Sequence, residues 1–229
     1  MKFLEYTPFE SINYFLSHLN LGECTLKGNL EAYSCKHIGA DRKLSLSLEH
    51  EILDYLGQSS ESDSSSPIEF LSSRSSRKTL IYLFLTLSHM YPDYDFRPVQ
   101  AHHLFRDEEW DGFKQIFDTY LFEAAKKWSL TNDDCSLFDS ISKAIDEVVK
   151  LAECEIYSFN PDIEEDPFVE KGAIWSFHFF LYNRKLKRVV SFRCCCLSNL
   201  VADGFLMDHE MIDDDDDDDD EDIFNEMDM

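Results

Sequence analysis

The chain has 229 residues, is 44% hydrophobic with 19 Phe, and carries a net charge of −25. That length suits one domain of ordinary size with appendages, and that apolar content excludes a wholly disordered chain. No run approaches the ~20 apolar residues of a membrane span, so no membrane partner is expected; the richest, Leu80 to Met90, is interrupted by Thr86, Ser88 and His89.

The opening MKFLEYTPFE has early acids and no apolar signal core, so no leader peptide is expected. Seven Cys without a CxxC pair point to a reducing compartment. The odd count argues against a disulfide framework, and the spacing argues against a zinc site. From Asp208 onward there are 14 acids and no Lys or Arg; the rest still holds 32 acids against 21 bases, or −11. Phosphate neutralisation needs a basic surface, so no direct DNA binding is expected. A basic protein surface is the better partner.

Residues 2–19 read as a helix, with Phe3, Ile12, Phe15, Leu16 and Leu19 at helical spacing. Thr7-Pro8-Phe9-Glu10 offers a start signal, with Thr7 as N-cap, Pro8 at the first helical position and Glu10 closing a capping box. Residues 24–35 alternate and predict a strand, and a further helix completes residues 1–56. Residues 57–77 are rich in serine and read as a mobile linker. From Ser76, a plausible cap, Leu80, Leu83, Phe84 and Leu87 define a helix that Tyr91-Pro92 ends. Pro92 to Phe96 is a turn with two aromatic anchors. Amphipathic helices follow over 107–127 and 137–151.

Residues 153–160 read as a strand, 161–172 as an acidic loop, and 173–182 and 188–196 as two strands joined by a hairpin-length turn. The expected fold class is α+β, a single globular domain with an antiparallel sheet covered by helices. Its parts are 1–56, the linker 57–77, 78–197 of the same domain, and a tail 198–229. Asp213 to Asp222 is an unbroken acidic run, so the tail is expected to be disordered.

Catalytic signatures are missing from the sequence. No glycine-rich phosphate loop, GxSxG elbow or HExxH motif occurs. His102 and His103 are adjacent, and adjacent side chains point apart on a helix or a strand. Cys194, Cys195 and Cys196 on a strand place two thiols on one face and one on the other, as small core residues would be. Asp162, Glu164, Glu165 and Asp166 lack the spacing and glycine of a calcium loop. No catalytic residue, cofactor or metal ligand is therefore expected.

Two features suit regulation. Arg184, Lys185, Lys187 and Arg188 form the one dense basic cluster, a candidate nuclear localisation signal that a tight hairpin would constrain. Four serines are phosphorylation candidates. Ser45 follows Arg42-Lys43, Ser60 precedes Asp63 by three, Ser66 precedes Pro67, and Ser75 follows Arg74. A phosphate adds nearly two negative charges at such a point.

Three stretches resemble the Maf-one family of negative regulators of RNA polymerase III. They are MKFLEYTPFESIN (1–13) with EAYSCK (31–36), then SRKTLIYLFLTLSHMYPDYDF (76–96), and LAECEIYSFNPD (151–162) leading through DPF (166–168) to WSFHFFLYNRKLKRVVSF (175–192). The resemblance covers about 1–36 and 76–196. It implies a repressor of transfer-RNA and other small-RNA genes that binds the polymerase and the Brf subunit of its initiation factor and blocks promoter assembly. It implies a single domain with an antiparallel sheet, no catalytic site and no cofactor. It further implies control by kinases of the target-of-rapamycin and protein kinase A types, with a location in nucleus and cytoplasm shifted by phosphorylation. Arg184, Lys185, Lys187 and Arg188 occupy the position of a family import signal. The acidic tail alone suggests an alternative, a histone-chaperone-like binder of basic proteins. A third possibility, a cysteine-dependent enzyme, would rest on Cys194 to Cys196.

Overall fold

Three eleven-residue strands build the middle of the molecule, and two of them, over 173–183 and 188–198, are rich in β-branched, aromatic or cysteine side chains. The structure, a computed structural model, describes residues 1–39, 41–58, 71, 73–94, 105–132, 135–161 and 172–199. In chain order the elements are β1 (Lys2–Leu4), α1 (Thr7–Leu16), β2 (Leu19–Asn20), β3 (Cys24–Ser34), α2 (Asp41–Gln58) and α3 (Arg74–Met90). Then come β4 (Phe105–Glu108), α4 (Trp110–Tyr120), α5 (Phe122–Thr131), α6 (Leu137–Val149), a 3-10 turn (Leu151–Glu153), β5 (Glu155–Phe159), β6 (Ala173–Asn183) and β7 (Arg188–Ser198).

The strands form one 7-stranded antiparallel sheet in the order β1-β3-β7-β6-β5-β4, with β2 also paired to β3. β3 and β7 pair along their whole length, from Cys24 opposite Ser198 to Ser34 opposite Arg188. Because side chains alternate across a strand, this register sorts them onto two faces. Leu26, Leu30, Phe179, Leu181, Val190 and Phe192 meet α1, α4, α5 and α6 through residues such as Leu16, Phe113, Trp128 and Ile141. Tyr33, Phe180, Tyr182, Val189, Tyr157 and Phe159 meet α2 and α3 through Leu48, Ile52, Leu80 and Phe84. Both faces are therefore covered, which explains the nearly continuous apolar runs in β6 and β7. Cys194 and Cys196 share the first face and Cys195 takes the other, and all three are buried.

The α+β class and the antiparallel sheet agree with the sequence reading; several element boundaries do not. The single helix expected over 2–19 is instead β1, α1 and β2. Residues 2–4 pair with Ala32 to Ser34, and that pairing outweighs the weak helical spacing of Phe3. Tyr6, not Thr7, caps α1, and no side chain closes the cap. Pro8 sits in the first turn, where its missing N–H leaves no partner wanting. α3 begins two residues before Ser76, with Ser73 as cap. The helix expected over 107–127 is divided among β4, α4 and α5, with a break at Leu121, whose side chain is fully buried. Helical structure also enters both ends of the serine-rich segment, since α2 runs to Gln58 and α3 starts at Arg74.

Candidate functional site: the basic turn and its acidic surroundings

The four basic residues predicted as an import signal lie on or beside the turn between β6 and β7, and the turn is held from beneath by Asn183. That residue is completely buried. Its Oδ1 accepts from the backbone N–H groups of Lys185 and Leu186, both at 2.9 Å, the side-chain closure that makes Asn a turn residue. Its Nδ2 donates to the carbonyl of Val149 at 2.7 Å. Arg188 Nη1 donates to the carbonyl of Val148 at 3.1 Å. Those two carbonyls end α6, where a helix leaves acceptors without intrahelical partners. The turn thus caps the helix. Lys187 adopts φ 51°, and its carbonyl accepts from Cys35 N at 2.9 Å.

Arg184 links three segments. Its Nε lies 2.7 Å from Glu155 Oε1, and its Nη1 donates to Ser75 Oγ. Burial opposes the guanidinium charge, but hydrogen bonds and charges from Glu155 and Tyr157 outweigh it and hold Arg184 above its ordinary range. Lys185 Nζ pairs with Glu153 Oε2 at 3.2 Å, largely in solvent. Two separate predictions, the import cluster and Ser75, are therefore brought into contact. The sequence reading missed Asn183, Glu153 and Glu155 as their partners. An asparagine immediately before a four-residue turn was the available signal.

Beyond Glu155 lies an open groove of about 530 Å³, lined by Asp107, Glu108, Glu109 and Glu155 against Trp110 and Leu151. Burial raises the Asp107 carboxyl, and the charges of Glu155 and Glu108 raise it further. Glu108 Oε1 accepts from Ser158 Oγ at 2.7 Å. Asp107 and Glu109 are exposed, Glu108 and Glu155 are half-buried, and Glu155 joins the groove to the basic turn through Arg184. The arrangement can recognise charge.

The other candidates fall elsewhere. Ser45 is half-buried on α2, and Ser75 is exposed at the start of α3. Ser60, Ser66, the His102-His103 pair, the acidic residues Asp162 to Asp166 and the tail from Leu200 lie outside the described residues. Among the described residues, no group of three His, Cys, Asp or Glu is placed to hold a metal ion. Burial raises the Cys194 thiol well above its ordinary range and pushes Cys196 up to about 12, with Cys24 contributing to the latter. Such thiols stay protonated and are poor nucleophiles.

The described residues thus form an α+β domain with a charged turn between β6 and β7. Residues 26–193 match the family model described as Maf1 regulator, and the chain belongs to that family, whose members are regulators of transcription and not enzymes. It is 27% identical to the Dictyostelium discoideum protein named repressor of RNA polymerase III transcription, across 87% of this chain and 86% of that one. A Schizosaccharomyces pombe repressor of the same name is 28% identical, across 83% of this chain and 80% of its own length. The crystal structure of citrus MAF1 is 64% identical and superposes with a TM-score of 0.72, covering 84% of this chain and 99% of that one.

Proposed function

We propose that this protein represses RNA polymerase III transcription. In this reading it binds the polymerase and the Brf subunit of the initiation factor, and so prevents recruitment to the promoter. The observation that carries the proposal is the family match across β3 to β7, together with two relatives that bear this name and align over most of their length. The charge is compatible: a chain of net −25 is repelled by DNA and drawn to basic protein surfaces. Phosphorylation by kinases of the target-of-rapamycin and protein kinase A types then shifts the protein between nucleus and cytoplasm. Ser45, Ser60, Ser66 and Ser75 are the acceptor candidates, and Arg184, Lys185, Lys187 and Arg188 the import candidates.

Capture on the immobilised chain tests the binding step. Purified RNA polymerase III is expected to be retained, and the Brf-containing initiation factor is expected to compete with it. Retention that survives deletion of residues 208–229 supports contact through the folded domain. Retention lost with that deletion, alongside tight binding of histones by the tail, would favour the chaperone reading instead.

A further inference from the structure

We propose that Ser75 is a phosphorylation site whose phosphate is read by Arg184, so that modification latches the β6–β7 turn onto the start of α3. The proposal deepens the phosphorylation control suggested above by assigning one acceptor and its receptor. Four hydroxyls lie close together at the start of α3, and that of Ser73, the cap, is exposed. Ser75 is exposed, Ser76 is half-buried, and Thr79 is 1% exposed with its Oγ1 donating to the Ser75 carbonyl at 3.3 Å. Of the two exposed hydroxyls, Ser75 is the one that meets Arg184. Ser75 is the second residue of α3, and its N–H is held by the Ser73 hydroxyl at 3.3 Å rather than by the helix ladder. The first N–H groups of a helix have no ladder partners, so freeing the Ser75 N–H from its cap breaks no ladder bond. Arg74 and Arg77 flank the acceptor, which suits a basic-directed protein kinase.

The transfer itself is balanced by ATP. The Ser75 hydroxyl oxygen forms the new bond to the γ-phosphorus, the bond from that phosphorus to the bridging β–γ oxygen breaks, ADP leaves, and the hydroxyl proton passes to solvent.

The receptor is already aimed. Glu155 holds the Nε side of Arg184, which leaves Nη1 directed at Ser75 Oγ. Phosphorylation turns a hydrogen bond to a neutral hydroxyl into a charge-assisted one, roughly twice as strong. It also places about −1.5 to −2 charges in the first turn of α3, a turn that contains no acid. The same event neutralises one cation of the basic turn. Residues 109 positions apart in sequence are then tied together, and the turn offers a partner one positive charge fewer.

The test uses the full chain carrying phosphoserine at position 75, installed during synthesis, in native and Arg184→Gln forms. A neighbouring guanidinium favours the doubly charged phosphate, so the second phosphate pKa, read by ³¹P NMR, is expected about 0.3 units or more lower with Arg184 than with Gln. The melting temperature is expected to rise on phosphorylation by about 2 °C with Arg184 and not with Gln. Arg184→Lys, which keeps the charge without the fork, is expected to fall between them and guards against a folding defect in the Gln variant. Equal phosphate pKa values and equal melting shifts in all three would overturn the latch. Treatment of the unmodified chain with ATP and a basic-directed kinase is expected to label Ser75 and spare Thr79; a fully labelled chain without phosphate on Ser75 would overturn the site. None of these readouts involves the polymerase, so their failure is distinct from failure of the repressor reading.

Discussion

Gly28 shows how tightly single residues are constrained here. A Cβ at this position on β3 would lie 2.7 Å from Cys194 Sγ and 3.1 Å from Leu16 Cβ. Gly28→Ala is expected to destabilise the fold by about 1–3 kcal/mol, the usual cost of overpacking a core. In a Cys194→Ala background the cost is expected to shrink by about 0.5 kcal/mol or more, because contacting residues couple, while the Leu16 contact remains. Urea unfolding of the four variants measures both. His178 makes a different demand. It is 3% exposed, its Nε2 lies 2.7 Å from Ser191 Oγ, and it packs beside Phe180 and Phe159. Burial lowers its pKa well below the ordinary value, and Arg193 adds to the effect. A depressed histidine stabilises fully above the unfolded pKa near 6.5, and the stability is lost as pH falls, because the unfolded chain takes up a proton that the folded one refuses. His178→Gln is expected to flatten the decline between about pH 6.5 and 5 by close to one proton, or ~1.4 kcal/mol per pH unit. An unchanged slope would mean that the native protein protonates this ring. Cys194 to Cys196 were legible as two-sided strand residues from sequence alone, since alternation needs no tertiary knowledge. The clash at Gly28 was not, because the register between β3 and β7 joins residues far apart in the chain.

At the scale of elements, the β6–β7 turn and the end of α6 form one unit. Asn183→Ala removes a buried donor to the Val149 carbonyl and the acceptor that closes the turn. It is expected to cost about 1–3 kcal/mol, chiefly through the lost turn closure, because the Val149 carbonyl still accepts from the Cys154 thiol at 3.3 Å. Asn183→Asp keeps the acceptor but turns a carboxylate toward a carbonyl, and is expected to cost more. Denaturant midpoints rank the two; the reverse order would place the role of Asn183 in the turn alone. The long elements were readable because periodicity accumulates over their length: α3 through Leu80, Leu83, Phe84 and Leu87, α6 through Leu137, Ile141, Ile145 and Val148, and β6 and β7 through their β-branched and aromatic runs. Short ones were not. β1, β2 and β4 have 3, 2 and 4 residues and exist only because neighbouring strands offer hydrogen bonds. The break between α4 and α5 leaves no periodicity signal, because Phe113, Phe117 and Leu121 keep helical spacing across it. The contact of Ser75 with Arg184 was hidden for the same reason: each residue was legible as a motif, and only the fold brings them together.

The described residues form a sheet covered by helices on both faces, with charged segments at the surface. In the repressor reading proposed above, this surface works by contact with the polymerase. The charge of −25 makes that contact sensitive to ionic strength, because exposed charges are screened within about 8 Å at physiological salt. Association with the polymerase is expected to slow several-fold between 50 and 300 mM salt, with dissociation changing less, as long-range steering predicts; surface-immobilised kinetics would read both rates.

Transcription of a transfer-RNA template by purified RNA polymerase III and its initiation factors, with the protein added before or after promoter assembly, tests the repressor claim most directly. Inhibition is expected when the protein is added first, little inhibition once the complex is assembled, and no effect on RNA polymerase II. Undiminished RNA polymerase III transcription with the folded, unphosphorylated protein added first would contradict it.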